Sequence, residues 1–452
     1  MCESAFLRIQ RIEVEQLFGR YDHFIDLNRK ERVTILHGPN GVGKTTLFRM
    51  VRSLVSLQLW TLAKTPFHRL RLKLSDGSTL SVSPEKESDP DGWALTLSLS
   101  QPHQNEQSTT LTADDLSEKV LGQLDRGLPW LKRIKRETWL DMDAGEELAL
   151  DEVLARYSAT QIGVLPLFDG NDWLLRFVEQ VHVHFIETQR LVGISASQLE
   201  DVRFRRSQVR ARTPSSVHTI NAYAKDLASR IRTTMASYGQ TSQELDQSFP
   251  QRLLTMTSEN SVELENLKTT MLNLETQREG LKSIGLLDKT ETNPFDPNTL
   301  DESDPTQIKV MALYAQDAAK KLERMEELAR KTRHLLDSVN KRFRHKTIRI
   351  DRKEGIVVEE ESGRRLPFDA LSSGEQHELV MNYDLLFLVK PNTLVLIDEP
   401  ELSLHVVWQK AFLNDLLETV DIADCDTLLA THSPYIVGDH DELLVDLSDA
   451  RS

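Results

Sequence analysis

Cysteine is almost missing from this chain: Cys2 and Cys425 are the only two among 452 residues. A disulfide framework is thereby excluded, and a reducing compartment is expected. With no Cys-x-x-Cys, a long tether ending in a zinc hook is excluded as well. No run approaches the ~20 apolar residues of a membrane-spanning helix. The start, Met1-Cys2-Glu3-Ser4, lacks the basic and apolar regions of a signal peptide. A cytoplasmic protein with no membrane partner is expected. Basic residues are the minority, 55 Lys and Arg against 70 Asp and Glu, for a net charge of −15. Such a chain does not coat nucleic acid non-specifically, so DNA contact has to come from local patches. Arg203, Arg205, Arg206, Arg210 and Arg212 form one patch without an intervening acid. It suits DNA phosphates or an acidic protein, and a solvated loop is the plainer alternative. Lys341, Arg342, Arg344 and Lys346 form a second basic run.

What is present is a chain able to bury a core, 39% hydrophobic and long enough for roughly three domains at ~150 residues each. An N-terminal lobe with an antiparallel β subdomain is expected over 1–112. Its strands alternate over Arg69–Leu74, Thr79–Ser83 and Trp93–Leu99, with turns at Asp76-Gly77 and Asp89–Gly92. Residues 113–180 read as a mostly helical insertion, broken at Pro129 and Gly170. Residues 181–216 read as a return strand and basic linker, 217–344 as a helical arm, and 345–452 as a C-terminal lobe. The last arm helix carries a heptad seam: Ile308, Met311, Ala315, Ala318, Leu322, Met325, Ala329, Leu336, Val339 and Phe343. Leu264, Leu267, Met271, Leu274 and Leu281 follow the same spacing. The pattern predicts that these two helices pair antiparallel, with residues 287–306 as the tip. Thr347–Ile350 and Ile356–Glu360 read as a hairpin leading back to the C-terminal lobe.

Two sets of motifs carry chemistry. Gly38-Pro39-Asn40-Gly41-Val42-Gly43-Lys44-Thr45-Thr46 fits a phosphate-binding loop. It follows the β-rich run Arg32–Leu36 and opens a helix. Backbone N–H groups around Asn40, Gly41 and Gly43 would point at phosphate oxygens. Lys44 would reach the β- and γ-phosphates of ATP, and Thr45, followed by Thr46, would place its hydroxyl on Mg²⁺. Far along the chain, the apolar run Leu394–Ile397 ends in Asp398 and Glu399. Asp398 suits the metal, and Glu399 suits polarising the attacking water, because phosphoryl transfer needs positioning and charge neutralisation above all. His432 follows the β-like Leu428–Thr431 and suits a γ-phosphate contact. Gln189, at another strand end, suits the metal or the water.

Together with Leu371-Ser372-Ser373-Gly374-Glu375, these motifs resemble the ABC-type ATPase head of the branch containing Rad50, SMC and OLD-like proteins. The resemblance implies an α/β head assembled from N- and C-terminal lobes around an inserted helical region and a short antiparallel coiled-coil arm. It implies a homo-oligomer through ATP-sandwich head pairs, in which Ser372 and Gly374 contact the γ-phosphate held by the opposing head and Glu401–His405 crosses the interface. Ser373 and Glu375 stand where transporter heads usually have Gly and Gln. That departs from transporters, as does the long gap between the motifs. Ser372–Leu379 followed by Asp398–His405 looks like the ATPase subunit of the PARIS anti-phage defence family. That likeness implies a regulatory scaffold that senses a phage-encoded trigger and controls a separate Toprim-type nuclease. The short segment after His432 leaves no room for a Toprim domain of the OLD kind, so the nuclease is expected on another chain. The alternative is a Rad50- or SMC-like DNA-repair ATPase, which shares all the head chemistry.

Overall fold

The computed structural model describes residues 6–85, 93–112, 128, 130–135, 138–142, 146–149, 153, 171–187, 216–255, 264–288, 304–402, 404 and 406–447. Gln189, the Arg203–Arg212 cluster, Ser403 and His405 fall outside them. Two compact units are formed: Met1–Ser216 with Phe387–Ser452, and Val217–Leu386.

The first unit opens with β1 (Ile9–Leu17), β2 (Tyr21–Asp26), β3 (Val33–His37), α1 (Lys44–Val55) and α2 (Leu59–Ala63). β4 (Arg69–Leu74), β5 (Thr79–Glu85), β6 (Ala94–Ser100) and β7 (Gln107–Thr112) follow. Then come β8 (Leu131–Lys135), β9 (Thr138–Asp141), β10 (Glu146–Ala149), α3 (Asp172–Gln180) and β11 (Val183–Glu187). The second unit holds α4 (Ser216–Thr255), α5 (Leu264–Ser283), α6 (Pro305–Asn340), β12 (Lys346–Asp351), β13 (Gly355–Glu360), β14 (Arg365–Leu366) and α7 (Ser373–Tyr383). The chain returns to the first unit with β15 (Leu394–Asp398), α8 (Val406–Ala423), β16 (Asp426–Ala430), α9 (Pro434–Val437) and β17 (Leu444–Asp446).

Five strands make a wholly parallel sheet in the order β11-β15-β16-β3-β17. The three central strands, β15, β16 and β3, are buried at successive positions without alternation, as a sheet covered on both faces requires. Helix α1 covers one face with Leu47, Phe48, Val51 and Leu54, and Phe48 meets Phe185 edge-on at 5.9 Å. The six-stranded antiparallel sheet β2-β1-β4-β5-β6-β7 sends Leu70, Leu72, Leu80, Val82, Leu95 and Leu97 into the same core. Its alternating pattern appears as read from sequence. At the N-terminal ends of the parallel strands, Arg8 donates to both oxygens of Asp426 at 2.8 and 2.5 Å. Arg32 donates to Asp426 at 3.1 Å and also pairs with Asp424. Residues just before β1 and β3 are thereby tied to those that open β16.

Within 113–180, the described stretch between 131 and 149 corrects the helical expectation. Among the described residues, β8, β9 and β10 form an antiparallel sheet there, and α3 is the one long helix. Arg133 pairs across the strands with Trp139 and lies 5.3 Å over its ring. Trp139 is fully buried, so a cross-strand contact outweighs the weak helical pattern.

In the second unit, α6 buries more than its heptad seam. Ala315, Ala318, Leu322, Met325, Ala329 and Val339 are buried, but so are Leu313, Leu328, Thr332 and Leu335. That stripe is wider than a two-stranded coiled-coil seam. The antiparallel neighbour of α6 is α4: Asp246 meets Lys321 at 2.9 Å, and the later Arg252 meets the earlier Asp317 at 2.6 Å. The expected pairing with α5 is corrected in direction. Asp288, just past α5, pairs with Arg352 at 2.6 Å, and Asn340, which ends α6, exchanges hydrogen bonds with Ile348. Helix α5 therefore ends where α6 ends. A heptad repeat marks the buried face but carries no information on which helix covers it.

The expected hairpin of β12 and β13 is present, joined by β14. It belongs with the helices, as does α7, so the boundary expected at 345 moves to 387. Gly355 shows the close packing: at φ 79, a Cβ there would stand 1.8 Å from the Ala224 carbonyl oxygen. Gly363 has a similar φ of 81 but open space around it. Gly363→Ala is expected to cost about 1 kcal/mol from the left-handed backbone alone. Gly355→Ala adds a backbone collision and is expected to exceed ~3 kcal/mol. Urea unfolding of both variants checks this, and equal losses would contradict it.

Candidate functional site

The parallel strands are paired so that Glu187, Asp398, Ala430 and Leu36 stand level. The segments leaving β3, β15 and β16 therefore emerge side by side. Segments far apart in sequence reach one place by this register.

The loop Gly38–Gly43 joins β3 to α1. Gly43 is the N-cap of α1 at φ 94, and a Cβ there would stand 2.5 Å from Leu17 Cδ2. Neither the dihedral nor the space admits a side chain. No side chain caps α1, so its first N–H groups present partial positive charge at the loop. Pro39, Asn40 and Gly41 are exposed, while Thr45 and Thr46 are half-buried in the first turn. Under the loop, the buried His23 donates from Nε2 to the Val42 carbonyl at 2.8 Å. Beside Gly43, the ring of Phe18 is 45% exposed on a left-handed backbone at φ 56. Sequence reading passed over Phe18 and His23. The available signal was the aromatic-glycine turn Phe18-Gly19 shortly before the phosphate loop.

Lys44 is buried and folds back to donate to the Gly38 and Pro39 carbonyls at 2.8 and 3.1 Å. Burial pushes its ammonium below the usual lysine range, against the pull of Glu399, Asp398 and Glu401. Those carboxylates are thus close enough to act on it. Glu399 has a left-handed φ of 46, and its N–H donates to the Ala430 carbonyl at 2.9 Å. A positive φ is uncommon for a residue with a long side chain and marks a position held by its surroundings. His432 Nε2 is 3.9 Å from Glu399 Oε1. Burial and Lys44 hold the His432 imidazole below its ordinary value, opposed by Glu399 and Glu401. Glu401, read from sequence only as part of a loop, accepts from Thr431 Oγ1 at 2.9 Å and from the His432 N–H at 2.7 Å.

The structure thus brings Lys44, Thr45, Asp398, Glu399 and His432 to adjacent strand ends. Gln189 stands two positions after Glu187, the level partner of Asp398, and lies outside the described residues. In the second unit, Ser372 is the N-cap of α7, and Ser372 and Ser373 are exposed at its start. Glu375 is spent internally: its carboxylate accepts from the Ser372 N–H at 2.7 Å and from Lys346 Nζ at 3.0 Å, completing a capping box. Burial opposes its ionised form, yet these donors hold the carboxyl below its ordinary range. Arg342 is likewise committed to the fully buried Glu378. Two members of the second basic run therefore serve α7.

His23, His377 and His432 are all held below the ordinary imidazole value by burial. The folded chain then binds fewer protons than the unfolded one below pH ~6.5, so its stability falls as pH drops through that value. The melting temperature is expected to decline from about pH 7.5 to about 5.5. A flat profile over that window would contradict the assignment.

A family model described as "AAA domain, putative AbiEii toxin, Type IV TA system" matches residues 280–438, a stretch that includes Ser372, Asp398-Glu399 and His432 but not Lys44. No curated protein matches the chain. Among solved structures, it is similar to an Smc head domain with an extended coiled coil bound to the C-terminal domain of ScpA from Pyrococcus furiosus, at 12% identity and a TM-score of 0.34, covering 97% of this chain and 93% of that one. An SmcHead bound to the C-winged helix domain of ScpA gives 10% identity and the same TM-score and coverage.

Proposed function

We propose that this chain is a Mg²⁺-dependent ATPase whose nucleotide state controls a partner protein. The observation that carries the reading is the gathering of Lys44, Asp398, Glu399 and His432 at the level ends of β3, β15 and β16. On ATP binding, Lys44 would exchange the Gly38 and Pro39 carbonyls for the β- and γ-phosphates. The N–H groups from Asn40 to Thr46 would cradle the phosphates at the uncapped start of α1. Thr45, Asp398 and Gln189 would hold Mg²⁺, which would neutralise phosphate charge. Glu399 would polarise the attacking water, and His432 would contact the γ-phosphate. The exposed face of Phe18 would support the nucleobase.

Ser372, Ser373 and Gly374 open α7 toward solvent, which supports their service to the nucleotide of a second copy in an ATP-sandwich pair. The matching family description names a toxin–antitoxin system, which supports a control function exerted with another component. The finer reading is a cytoplasmic regulatory subunit of anti-phage defence that senses a phage-encoded trigger and restrains a Toprim-type nuclease. Direct DNA processing is its competitor.

Lys44→Ala is expected to abolish ATP binding, whereas Glu399→Gln keeps binding and loses turnover. Calorimetry and phosphate release check both, and equal ATP affinity in wild type and Lys44→Ala would remove the assignment. Phe18→Ala is expected to weaken ATP binding about tenfold, the scale of one lost base stack, with kcat spared. An unchanged Kd would free Phe18 from this role. For the partner, affinity purification from native cells is expected to recover a nuclease chain. Recovery of the protein alone, with DNA cleavage or remodelling of its own, would favour the competitor.

A further inference from the structure

We propose that Glu401 is a positioning residue that holds His432 at the phosphate site by accepting two hydrogen bonds from the segment carrying it. The inference rests on the ATPase reading above and adds a residue to it. Glu401 belongs to the segment after β15, and both of its donors belong to the segment after β16. Oε1 takes the His432 backbone N–H at 2.7 Å, and Oε2 takes the hydroxyl of the fully buried Thr431 at 2.9 Å. Both bonds end on a carboxylate and are therefore of the stronger, charge-assisted kind. They fix the His432 backbone, which sets its imidazole 3.9 Å from Glu399.

Gln409 closes the arrangement from α8. Its amide NH₂ donates to the Glu401 and Leu404 carbonyls at 3.2 and 3.1 Å. Its amide oxygen accepts from Ser433 Oγ at 2.8 Å, and the Ser433 N–H donates to Thr431 Oγ1 at 3.0 Å. The two segments are laced at both ends.

Glu401→Gln tests this. The two donors meet different oxygens, and the amide replaces one of these with an NH₂, so both bonds are not kept in this geometry. The expected result is kcat lower by about 10- to 100-fold, with the ATP KM within about threefold of wild type. If Glu401 works through His432, the double variant Glu401→Gln/His432→Ala is no slower than His432→Ala alone. Thr431→Val keeps the shape, removes one of the two bonds to Glu401 together with the one accepted from the Ser433 N–H, and is expected to give a smaller loss in the same direction. It stands in if Glu401→Gln fails to fold. An independent arm needs no turnover: ¹³C-histidine NMR of the full nucleotide-free chain, with His432 assigned by its loss in His432→Ala. His432 also faces Lys44, Glu399 and His37, and these remain in the variant. Losing the Glu401 anion should move the His432 titration to lower pH. Wild-type kcat, additive losses in the double variant, or an unmoved His432 titration would each overturn the proposal. A wild type that hydrolyses no ATP would sink the ATPase reading instead, and the NMR arm would still decide the Glu401–His432 tie.

Discussion

The register of five parallel strands is the constraint on which the rest depends. Because Glu187, Asp398, Ala430 and Leu36 are level, four segments distant in sequence leave the sheet at one edge. A slip of any strand would move its outgoing segment out of line with its neighbours and turn its side chains to the opposite face. The two edges of the sheet use charge in opposite ways. At the N-terminal edge, Arg8 and Arg32 are matched to Asp424 and Asp426, and the charges are spent on holding strands together. At the C-terminal edge, Lys44 faces several carboxylates while its own hydrogen bonds go to carbonyls of its loop. There a cation and several carboxylates share one end of the sheet, while the hydrogen bonds of the cation itself go to neutral acceptors.

The second unit applies similar economy to its signature segment. Ser372 and Glu375 cap each other, Lys346 steadies Glu375, and Glu378 in the next turn is bound by Arg342 at the foot of α6. A buried ion pair is costly to break singly, because the surviving charge is left without compensation. The start of α7 is therefore fixed to the helices and the β12–β14 sheet as part of one packed body. Tyr223 and Tyr383 reinforce this: their rings stack at 4.5 Å, and their hydroxyls bond Asp384 and Asp226, linking α4 to the far end of α7.

The parts legible in the sequence were those with local signatures. The phosphate loop needs glycines at particular dihedrals, β15 is an unbroken apolar run ending at Asp398, and β3 and β16 are β-rich runs leading into chemically distinctive residues. The alternating strands β4 to β6 were legible for the same reason. What escaped depends on partners far away in the chain. The basic strand β8 looked helical until Arg133 found Trp139. Arg342 and Lys346 read only as part of a basic run, yet both serve α7. The seam of α6 marked a buried face but not that α4 runs antiparallel to it. Glu401 and Gln409 carry no periodic signal, because their bonds cross between two segments that are neighbours only in space.

The position of the nucleotide and the role of Lys44 there decide the rest. A structure of Glu399→Gln with ATP and Mg²⁺ tests this most directly. The predicted result has Lys44 Nζ off the Gly38 and Pro39 carbonyls and on the β- and γ-phosphates, the metal at Thr45 and Asp398, and Ser372 and Gly374 of a second copy on the γ-phosphate. ATP bound away from the ends of β3 and β15, or Lys44 still on its loop carbonyls with ATP in place, would contradict it.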